Sequence, residues 1–442
     1  MNKLIATSLL VLSASVATAS APFGENFNDS TLRIDYVFGG GPDGVSIFVD
    51  NISKSAGWAG RRARLDHTLY PGNGSIEVKD PSTGKTLYKN TFSSLFQEWV
   101  LTPEAKTTPR SFENTFLVPL PKGEADICIT LLDNRHQTVK SVTHRYDPKD
   151  ELTEVKRESP YYKEYIHKGG DPKEAIDFAI VAEGYTAADK DLFLEDARRL
   201  ANEILSYEPF ASRKDRFNVV AVLSESNESG VSIPLENKWV DTAFSSHYST
   251  FHSSRYLTAP DVKKMHDALT GVPYEHLIVL VNSDRYGGGG IFNSYLLSTT
   301  RNEHSLPVVV HEFGHSFGGL ADEYYYVDEQ DDTFPLDVEP WEPNITTRVD
   351  FASKWQDMVK PGTPLPTPTT DKGGNRAQKM SADKKRNQKD PVIGLYEGGG
   401  YKAKGVFRPV ETCRMRDNYY PAFCPVCERA LTRLIDFYTL PE

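Results

Sequence analysis

The segment His311-Glu312-Phe313-Gly314-His315 restricts the possible folds of this chain more than any other stretch. Two histidines four positions apart project from the same face of an α-helix, so both can bind one metal ion if the segment is helical. Imidazole nitrogen suits Zn²⁺, and a bound zinc ion lowers the pKa of a water molecule to about 7. The segment therefore predicts a helix that presents His311 and His315 to one catalytic zinc ion, with Glu312 as the general base.

The flanking residues predict where this helix begins and ends. Ser305 is a suitable N-cap, and Pro307 is tolerated in the first turn because its missing N–H is not needed there. The apolar run over residues 306–310 indicates buried helical turns. Gly318 and Gly319 predict the end of the helix, since glycine readily adopts the left-handed conformation, and the chain can then turn back toward the metal.

A catalytic zinc ion needs a third protein ligand beside an open position for water. We expect Asp322 to be this ligand, because it follows Gly319 by three residues, the glycine-to-ligand step of metzincin-type peptidases. The match requires a one-residue insertion, since Gly318 and Ala321 occupy the positions where glycine and ligand are usual. A solvated acidic turn is the structural alternative. Other possible ligands are Glu323, the main alternative, and the weaker candidates His304 and Glu397.

Three segments resemble the IgA peptidase family of secreted bacterial zinc metallopeptidases, which are related in mechanism to the metzincins. They are HEFGHSFGGLADEY at residues 311–324, Ala182-Glu183-Gly184-Tyr185-Thr186, and Cys413-Arg414-Met415. The similarity covers roughly residues 160–442, and residues 22 to about 150 match the family's N-terminal domain by position more than by motif. The resemblance implies peptide-bond hydrolysis with one zinc ion. It does not imply that immunoglobulin is the substrate.

The first residues are typical of an export signal. Lys3 precedes an apolar run from Leu4 to Val16, and a small-residue cleavage site ends at Ala19, which predicts a signal peptide over residues 1–19. We therefore expect a periplasmic or extracellular protein. No later run approaches the ~18 apolar residues that cross a bilayer, so no transmembrane anchor is expected. The formal net charge of −11 argues against nucleic acid as a partner. A protein or peptide substrate is what the family resemblance implies.

Two domains are expected in the mature chain. Short alternating runs over residues 30–146, separated by turn residues such as those at 80–84, predict an N-terminal all-β sandwich over residues 22–150. Its expected role is folding or presentation, with glycan or protein binding as the alternative. A charged linker is predicted at residues 151–170. Residues 171–442, with apolar strands and the metal-binding helix, predict an α/β zincin-like metallopeptidase domain.

Three of the four cysteines, Cys413, Cys424 and Cys427, lie close together. In an oxidising compartment this spacing predicts one disulfide, from Cys413 to either of the other two. The alternative is a structural zinc ion held by the three cysteines and one further ligand, since three thiolates are one short of a closed tetrahedral site. Cys128 lies in an alternating run and is predicted to be a buried core thiol.

Met415 lies about a hundred residues beyond the predicted helix, where metzincin-like enzymes have a methionine-containing turn beneath the zinc ligands. Tyr419 and Tyr420 follow it, and a phenol near the open zinc position could donate a hydrogen bond to the developing oxyanion. Ordinary core packing is the alternative for all three residues.

Two further segments are predicted to be loops or loop-like strands near the active site. The glycine run at residues 287–290 lacks the Lys-Ser/Thr of a phosphate-binding loop, and we expect either an edge strand that pairs with an extended peptide or a plain hairpin loop. A long mobile loop is predicted at residues 360–390. Two rival functions stay open: a non-proteolytic zinc amide hydrolase acting on cell-wall or glycan-linked substrates, and a binding protein with an inactive site.

Overall fold

The computed structural model describes residues 22–326, 333–369 and 391–440. The signal peptide predicted for residues 1–19 lies outside the described residues, as does most of the loop predicted for residues 360–390. The described chain forms two regions of different architecture, an N-terminal pair of β-sheets and a C-terminal region of mixed α/β structure. The two-region, mixed α/β organisation expected from the sequence is confirmed.

The N-terminal region is built from two four-stranded sheets. Its strands are β1 Phe27–Gly41, β2 Gly44–Ala56, β3 Gly74–Lys79, β4 Thr86–Phe92, β5 Arg110–Pro121, β6 Ala125–Leu132, β7 Thr138–Tyr146 and β8 Glu154–Val155. Their orders are β5-β1-β2-β8 and β4-β3-β6-β7. Two short helices accompany the sheets, α1 Phe23–Asn26 and α2 Leu95–Val100.

The alternating sequence of these strands explains how the two sheets pack. Every second residue of β6 is buried, because successive side chains of a strand point to opposite faces. Buried side chains of both sheets meet in one core, where the ring centroids of Phe92 and Phe116 are 4.4 Å apart. The sheets therefore pack face to face, as in a β-sandwich.

The C-terminal region contains two further sheets. Its strands are β9 Lys163–Lys168, β10 Ile176–Glu183, β11 Phe217–Val222, β12 His276–Val281, β13 Gly288–Gly290, β14 Leu296–Thr299, β15 Tyr325–Tyr326, β16 Tyr396–Gly399 and β17 Tyr401–Arg408. Six strands form a sheet of order β13-β14-β12-β10-β11-β9, and three form a sheet of order β15-β17-β16.

The helices of this region are α3 Lys190–Ile204, α4 Val262–Ala268, α5 Ser305–Ser316 and α6 Pro425–Thr439. Short 3₁₀ turns occupy Pro103–Lys106, Ala187–Asp189, Ala211–Arg216, Pro234–Glu236, Thr250–His252, Phe351–Ser353 and Gln356–Met358. Within the described ranges, none of the helices combines the length and the apolar character needed to cross a bilayer.

Strand β10 is central in the six-stranded sheet, where it runs parallel to β11 and β12 and all its residues are buried. Both faces of this strand are covered, which explains why its sequence is apolar throughout instead of alternating. Helices α3, α5 and α6 cover one face of the sheet, and α4 with the loops around residues 231–259 covers the other. Helix α5 is therefore fixed against the sheet by its apolar side.

The segment at residues 151–170 connects the two regions, but it is not free chain. Strand β8 pairs with β2 of the N-terminal region, and β9 pairs with β11 at the edge of the six-stranded sheet. Strand pairing uses main-chain N–H and C=O groups, which every residue except proline supplies. The charged composition that predicted a linker therefore did not reveal these strands.

Contacts between the two regions bring α2 to the cleft that α5 borders. The N–H of Ser93, next to the N-cap of α2, donates to the carbonyl oxygen of Phe292 at 2.9 Å. The indole N–H of Trp341 donates to Oδ1 of Asn73 at 2.8 Å. One wall of the cleft above α5 thus comes from the N-terminal region.

Candidate metal centre

Helix α5 carries the predicted histidines with its apolar side turned into the core. Val309, Val310 and Phe313 are buried, and the rings of Phe313 and Phe178 lie edge to face with centroids 4.8 Å apart. The N-cap is His304, one residue before the predicted Ser305, and it makes no side-chain capping bond. The predicted start of the helix was therefore wrong by one residue. Ser305 lies in the first turn, where its Oγ accepts a hydrogen bond from the N–H of Asn302.

The side of α5 that faces the cleft brings three possible ligand atoms together. Nε2 of His311 lies 2.9 Å from Oδ1 of Asp322, and Nε2 of His315 lies 3.3 Å from the same oxygen. The two Nε2 atoms are 3.0 Å apart. Ligands at usual zinc distances of about 2.0–2.1 Å and tetrahedral angles are separated by about 3.3 Å, so this arrangement fits one zinc ion.

The other ring nitrogen of each histidine fixes its orientation. Nδ1 of His311 lies 3.1 Å from the carbonyl oxygen of Arg414, and Nδ1 of His315 lies 2.6 Å from that of Leu320. A carbonyl oxygen can only accept, so each Nδ1 must carry the proton and donate it. In the neutral form of each ring Nε2 then carries no proton and can bind a metal ion, the usual arrangement of metal-binding histidines.

Asp322 reaches the histidines because the chain reverses after α5. Gly319 adopts a left-handed conformation with φ of +59°, which ends the helix as predicted. Asn344 then holds the next turn, accepting from Ala321 N–H at 2.8 Å and donating to Ala321 O at 2.9 Å. Asp322 itself is buried and accepts a hydrogen bond at Oδ2 from the hydroxyl of Tyr401. Burial alone would raise the pKa of Asp322, but the neighbouring imidazoles hold that pKa well below its ordinary value.

Glu312 is half-buried and lines the same cleft. Burial raises the pKa of its carboxyl group, while the imidazoles of His311 and His315 oppose this shift. A carboxylate with a raised pKa is a better proton acceptor near neutral pH than an ordinary glutamate. The position and the electrostatics of Glu312 therefore fit a general base.

The predicted glycine run packs directly against the helix. A Cβ added at Gly290 would lie 2.4 Å from the main-chain oxygen of Glu312, so a larger residue would push β13 away from α5. Strand β13 is an edge strand, antiparallel to β14. On the outer side of β13, Tyr256 forms an isolated β-bridge with Gly288. This bridge restricts the pairing of β13 with an extended peptide, which the sequence suggested.

The alternative third ligands are not brought to the histidines. Glu323 is fully buried and contacts Asn344 and Cys427 instead. His304 lies near the rim of the cleft, with its ring centroid 5.3 Å from that of Tyr419. Glu397 pairs with Lys404 at 2.9 Å.

Met415 and the two following tyrosines occupy different environments. Met415 is fully buried under α5, where its Sδ would lie 2.5 Å from a Cβ added at Gly314. Tyr419 lines the cleft, but Tyr420 is buried and lies near Cys413 and Cys424. Of the two tyrosines, only Tyr419 keeps a position suited to the predicted role.

The structure differs from the predictions for the cysteines. Cys413, Cys424 and Cys427 are free thiols, and the Sγ atoms of Cys413 and Cys427 are 3.8 Å apart, whereas a disulfide requires about 2.05 Å. The predicted disulfide is therefore absent from the structure. Cys128 is half-buried on the outer face of β6, 3.5 Å from Ser141 Oγ, and not in the core.

Other residues of the cleft were missed at the sequence level. The cleft has a volume of about 760 Å³ and is lined from both regions of the chain. Its additional polar residues include Glu98 of α2, Arg255, Tyr256 and Tyr401. Glu98 accepts a hydrogen bond from the Tyr256 hydroxyl, and Arg255 donates one to the Tyr326 hydroxyl. These residues come from three distant parts of the sequence and belong to no local motif, so only the tertiary fold could reveal them.

Comparison with known proteins gives two family matches. A family model described as IgA Peptidase M64 matches residues 165–391 and 377–435, which is more than half of the chain. A model described as Peptidase M64 N-terminus matches residues 22–143. No curated protein matches the chain.

Proposed function

Because the chain belongs to the IgA peptidase M64 family, we propose that it is an exported zinc-dependent endopeptidase. In this proposal His311, His315 and Asp322 hold one zinc ion, and Glu312 is the general base. The observation that carries it is the convergence of two Nε2 atoms and one carboxylate oxygen within 3.3 Å of one another beside Glu312. Family membership makes the protein a peptidase, and the ligand set, the metal and the residue roles are what we propose.

The chemistry of the three ligands supports zinc as the ion. Imidazole nitrogen is a borderline ligand that suits zinc, and zinc also binds carboxylate oxygen, whereas calcium and magnesium prefer oxygen ligands throughout. Three protein ligands also leave a coordination position open, as catalytic zinc sites do. Zinc at this site would supply a Lewis acid for the substrate carbonyl and acidify a water molecule.

The residues of the chain then have separate tasks. Glu312 takes a proton from the attacking water at its carboxylate and passes it to the nitrogen of the leaving amine. The carbonyls of Arg414 and Leu320 keep both imidazoles in the tautomer that exposes Nε2. Tyr419, on the cleft wall, is the candidate donor for the developing oxyanion.

The rival functions receive less support. The family match favours peptide bonds over a cell-wall or glycan-linked amide as the substrate. An inactive binding protein would need no complete ligand set, whereas both histidines, the aspartate and the neighbouring glutamate are all present.

Replacing Glu312 by glutamine tests the proposal. The full-length Glu312→Gln variant should keep its metal and lose peptide hydrolysis by about 10²–10⁴-fold, because the amide cannot accept the proton. Glu195→Gln, an exposed position on α3, is the matched control and should hydrolyse peptides at the wild-type rate. The assay compares a proteome-derived peptide library with a cell-wall amide substrate, and the metal is measured by elemental analysis. Wild-type activity in Glu312→Gln would refute the proposed base, and turnover of the cell-wall substrate alone would favour the rival hydrolase.

A further inference from the structure

We infer that Glu323, Cys413, Cys424 and Cys427 form a second metal site, which binds a thiophilic divalent cation, zinc by preference, in a structural role. One oxygen or sulfur atom of each residue lies within 4.8 Å of all the others, and all four side chains are fully buried. None of these residues takes part in the proposed hydrolysis.

Two interatomic distances in this cluster are close to those of a tetrahedral zinc site. Two sulfurs bound to one zinc ion at about 2.3 Å lie about 3.8 Å apart, and a bound sulfur and oxygen lie about 3.6 Å apart. The Sγ atoms of Cys413 and Cys427 are 3.8 Å apart, and Sγ of Cys427 lies 3.3 Å from Oε1 of Glu323. The three thiols and the carboxylate make up the four ligands of a closed structural site.

The local sequence around the cysteines suits thiolate ligands. Cys424 and Cys427 have the C-x₂-C spacing of zinc sites, with Cys424 at the N-cap of α6 and Cys427 in its first turn. The positive end of a helix dipole favours thiolate over thiol at such positions. In addition, the N–H of Cys424 points at Sγ of Cys413 at 3.2 Å. A main-chain donor of this kind stabilises a negatively charged sulfur.

The buried carboxyl group of Glu323 is the second independent observation. Its Oε1 accepts from Asn344 Nδ2 at 3.0 Å, but within the described chain its Oε2 has no hydrogen-bond partner. Leaving a buried carboxylate oxygen unpaired is costly, and a cation bound by this group removes the cost. A disulfide between two of the cysteines would not satisfy this oxygen and would leave the third thiol buried beside it.

The position of the cluster suggests what the ion stabilises. Glu323 follows Asp322 directly, and its N–H donates to the carbonyl oxygen of Met415 at 2.8 Å. Cys413 precedes Arg414, whose carbonyl oxygen holds His311. The second ion thus ties the segment that carries the third catalytic ligand to the turn beneath α5.

Metal counting in the full-length protein tests this inference independently of activity. Wild-type protein should contain two zinc ions per chain. The double variant His311→Ala/His315→Ala lacks the proposed catalytic ligands and should still retain one. The double variant Cys424→Ser/Cys427→Ser should lose one ion, whereas the control Cys128→Ser should lose none.

A spectroscopic measurement keeps the test valid if the cysteine variants fail to fold. The His311→Ala/His315→Ala variant is reconstituted with Co²⁺, and the inference predicts the intense thiolate-to-cobalt absorption of a sulfur-rich tetrahedral site. A double histidine variant that binds no metal and is lighter by the two hydrogens of a disulfide would overturn the inference. If wild type holds one ion that survives the histidine substitutions, the second site stands and the proposed catalytic site fails.

Discussion

The hydroxyl of Tyr401 donates to Oδ2 of Asp322, while Oδ1 of the same carboxylate faces His311 and His315. Tyr401 begins β17, and the N–H of its neighbour Gly400 also donates to the main-chain oxygen of Asp322 at 2.8 Å. The three-stranded sheet therefore orients the aspartate from the side opposite the helix.

Tyr401→Phe should weaken zinc binding at the proposed catalytic site by about 10–100-fold, because the partner that orients a ligand is lost. The measurement is recovery of peptidase activity in zinc–chelator buffers of known free zinc concentration. Tyr396 lies in β16 of the same sheet, and its hydroxyl donates to the carbonyl oxygen of Val392. Tyr396→Phe is therefore the matched control and should leave the zinc affinity unchanged. Equal zinc affinities for Tyr401→Phe and wild type would contradict an orienting role for Tyr401.

Gly290→Ala should destabilise the fold by about 1–3 kcal/mol, because its Cβ would meet the main-chain oxygen of Glu312 at 2.4 Å. Urea unfolding followed by circular dichroism gives the free energy of unfolding. In Gly123→Ala the added methyl group meets nothing within 4 Å, so this variant should unfold like wild type. Equal free energies of unfolding for Gly290→Ala and Gly123→Ala would contradict the predicted clash with Glu312.

Asp177 should make the protein less stable as the pH rises toward neutrality. Burial raises its pKa to about 7, opposed by a 2.9 Å hydrogen bond from Asn218 Nδ2. The folded state therefore holds this proton more tightly than the unfolded state, so stability falls between about pH 4 and pH 7 and then levels off. Asp177→Asn has no charge to bury and should exceed wild-type stability at pH 8 by an amount on the order of a few kcal/mol.

The check on Asp177 is the free energy of unfolding from pH 4 to pH 8. The difference between Asp177→Asn and wild type should vanish toward pH 4, where the native carboxyl group is protonated as well. Asp43→Asn, in the exposed turn between β1 and β2, should give a profile parallel to wild type. A constant difference at every pH would show that titration of Asp177 is not its cause.

Glu98→Gln should change substrate binding more than chemistry. Glu98 contributes a carboxylate to the cleft wall from α2, and the ligand and base candidates lie on other elements. We expect a several-fold higher KM for peptides with a basic residue near the scissile bond, with kcat and metal content unchanged. Glu124→Gln, an exposed position of the N-terminal region that pairs with Arg145, serves as the control. A loss of kcat at constant KM would place Glu98 in the chemistry instead.

Local spacing accounts for what the sequence predicted at the site. His311, Glu312 and His315 lie within two turns of one helix, and Asp322 follows a glycine-ended turn, so short-range rules were enough to group them. Tyr401 and Glu98 approach from distant strands and helices, and nothing in their neighbouring residues signals this. Tertiary contacts of that kind have no local pattern.

The cysteine cluster and the connecting segment show the same limit. The C-x₂-C spacing was visible, but the fourth group, Glu323, joins the cysteines only through the fold. Strands β8 and β9 were missed because they lie in a segment rich in Lys and Glu, although each contains a strand-forming residue such as Val155, Tyr165 or Ile166.

Helix α2 has a consequence for how specificity can change in this protein. This helix belongs to the N-terminal region, yet its residues Gln97 and Glu98 border the cleft that contains the proposed metal ligands. Side chains of both regions therefore border the space that a substrate of the proposed peptidase would enter. Redesign of α2 is therefore expected to change which peptides the enzyme prefers while His311, Glu312 and His315 stay as they are.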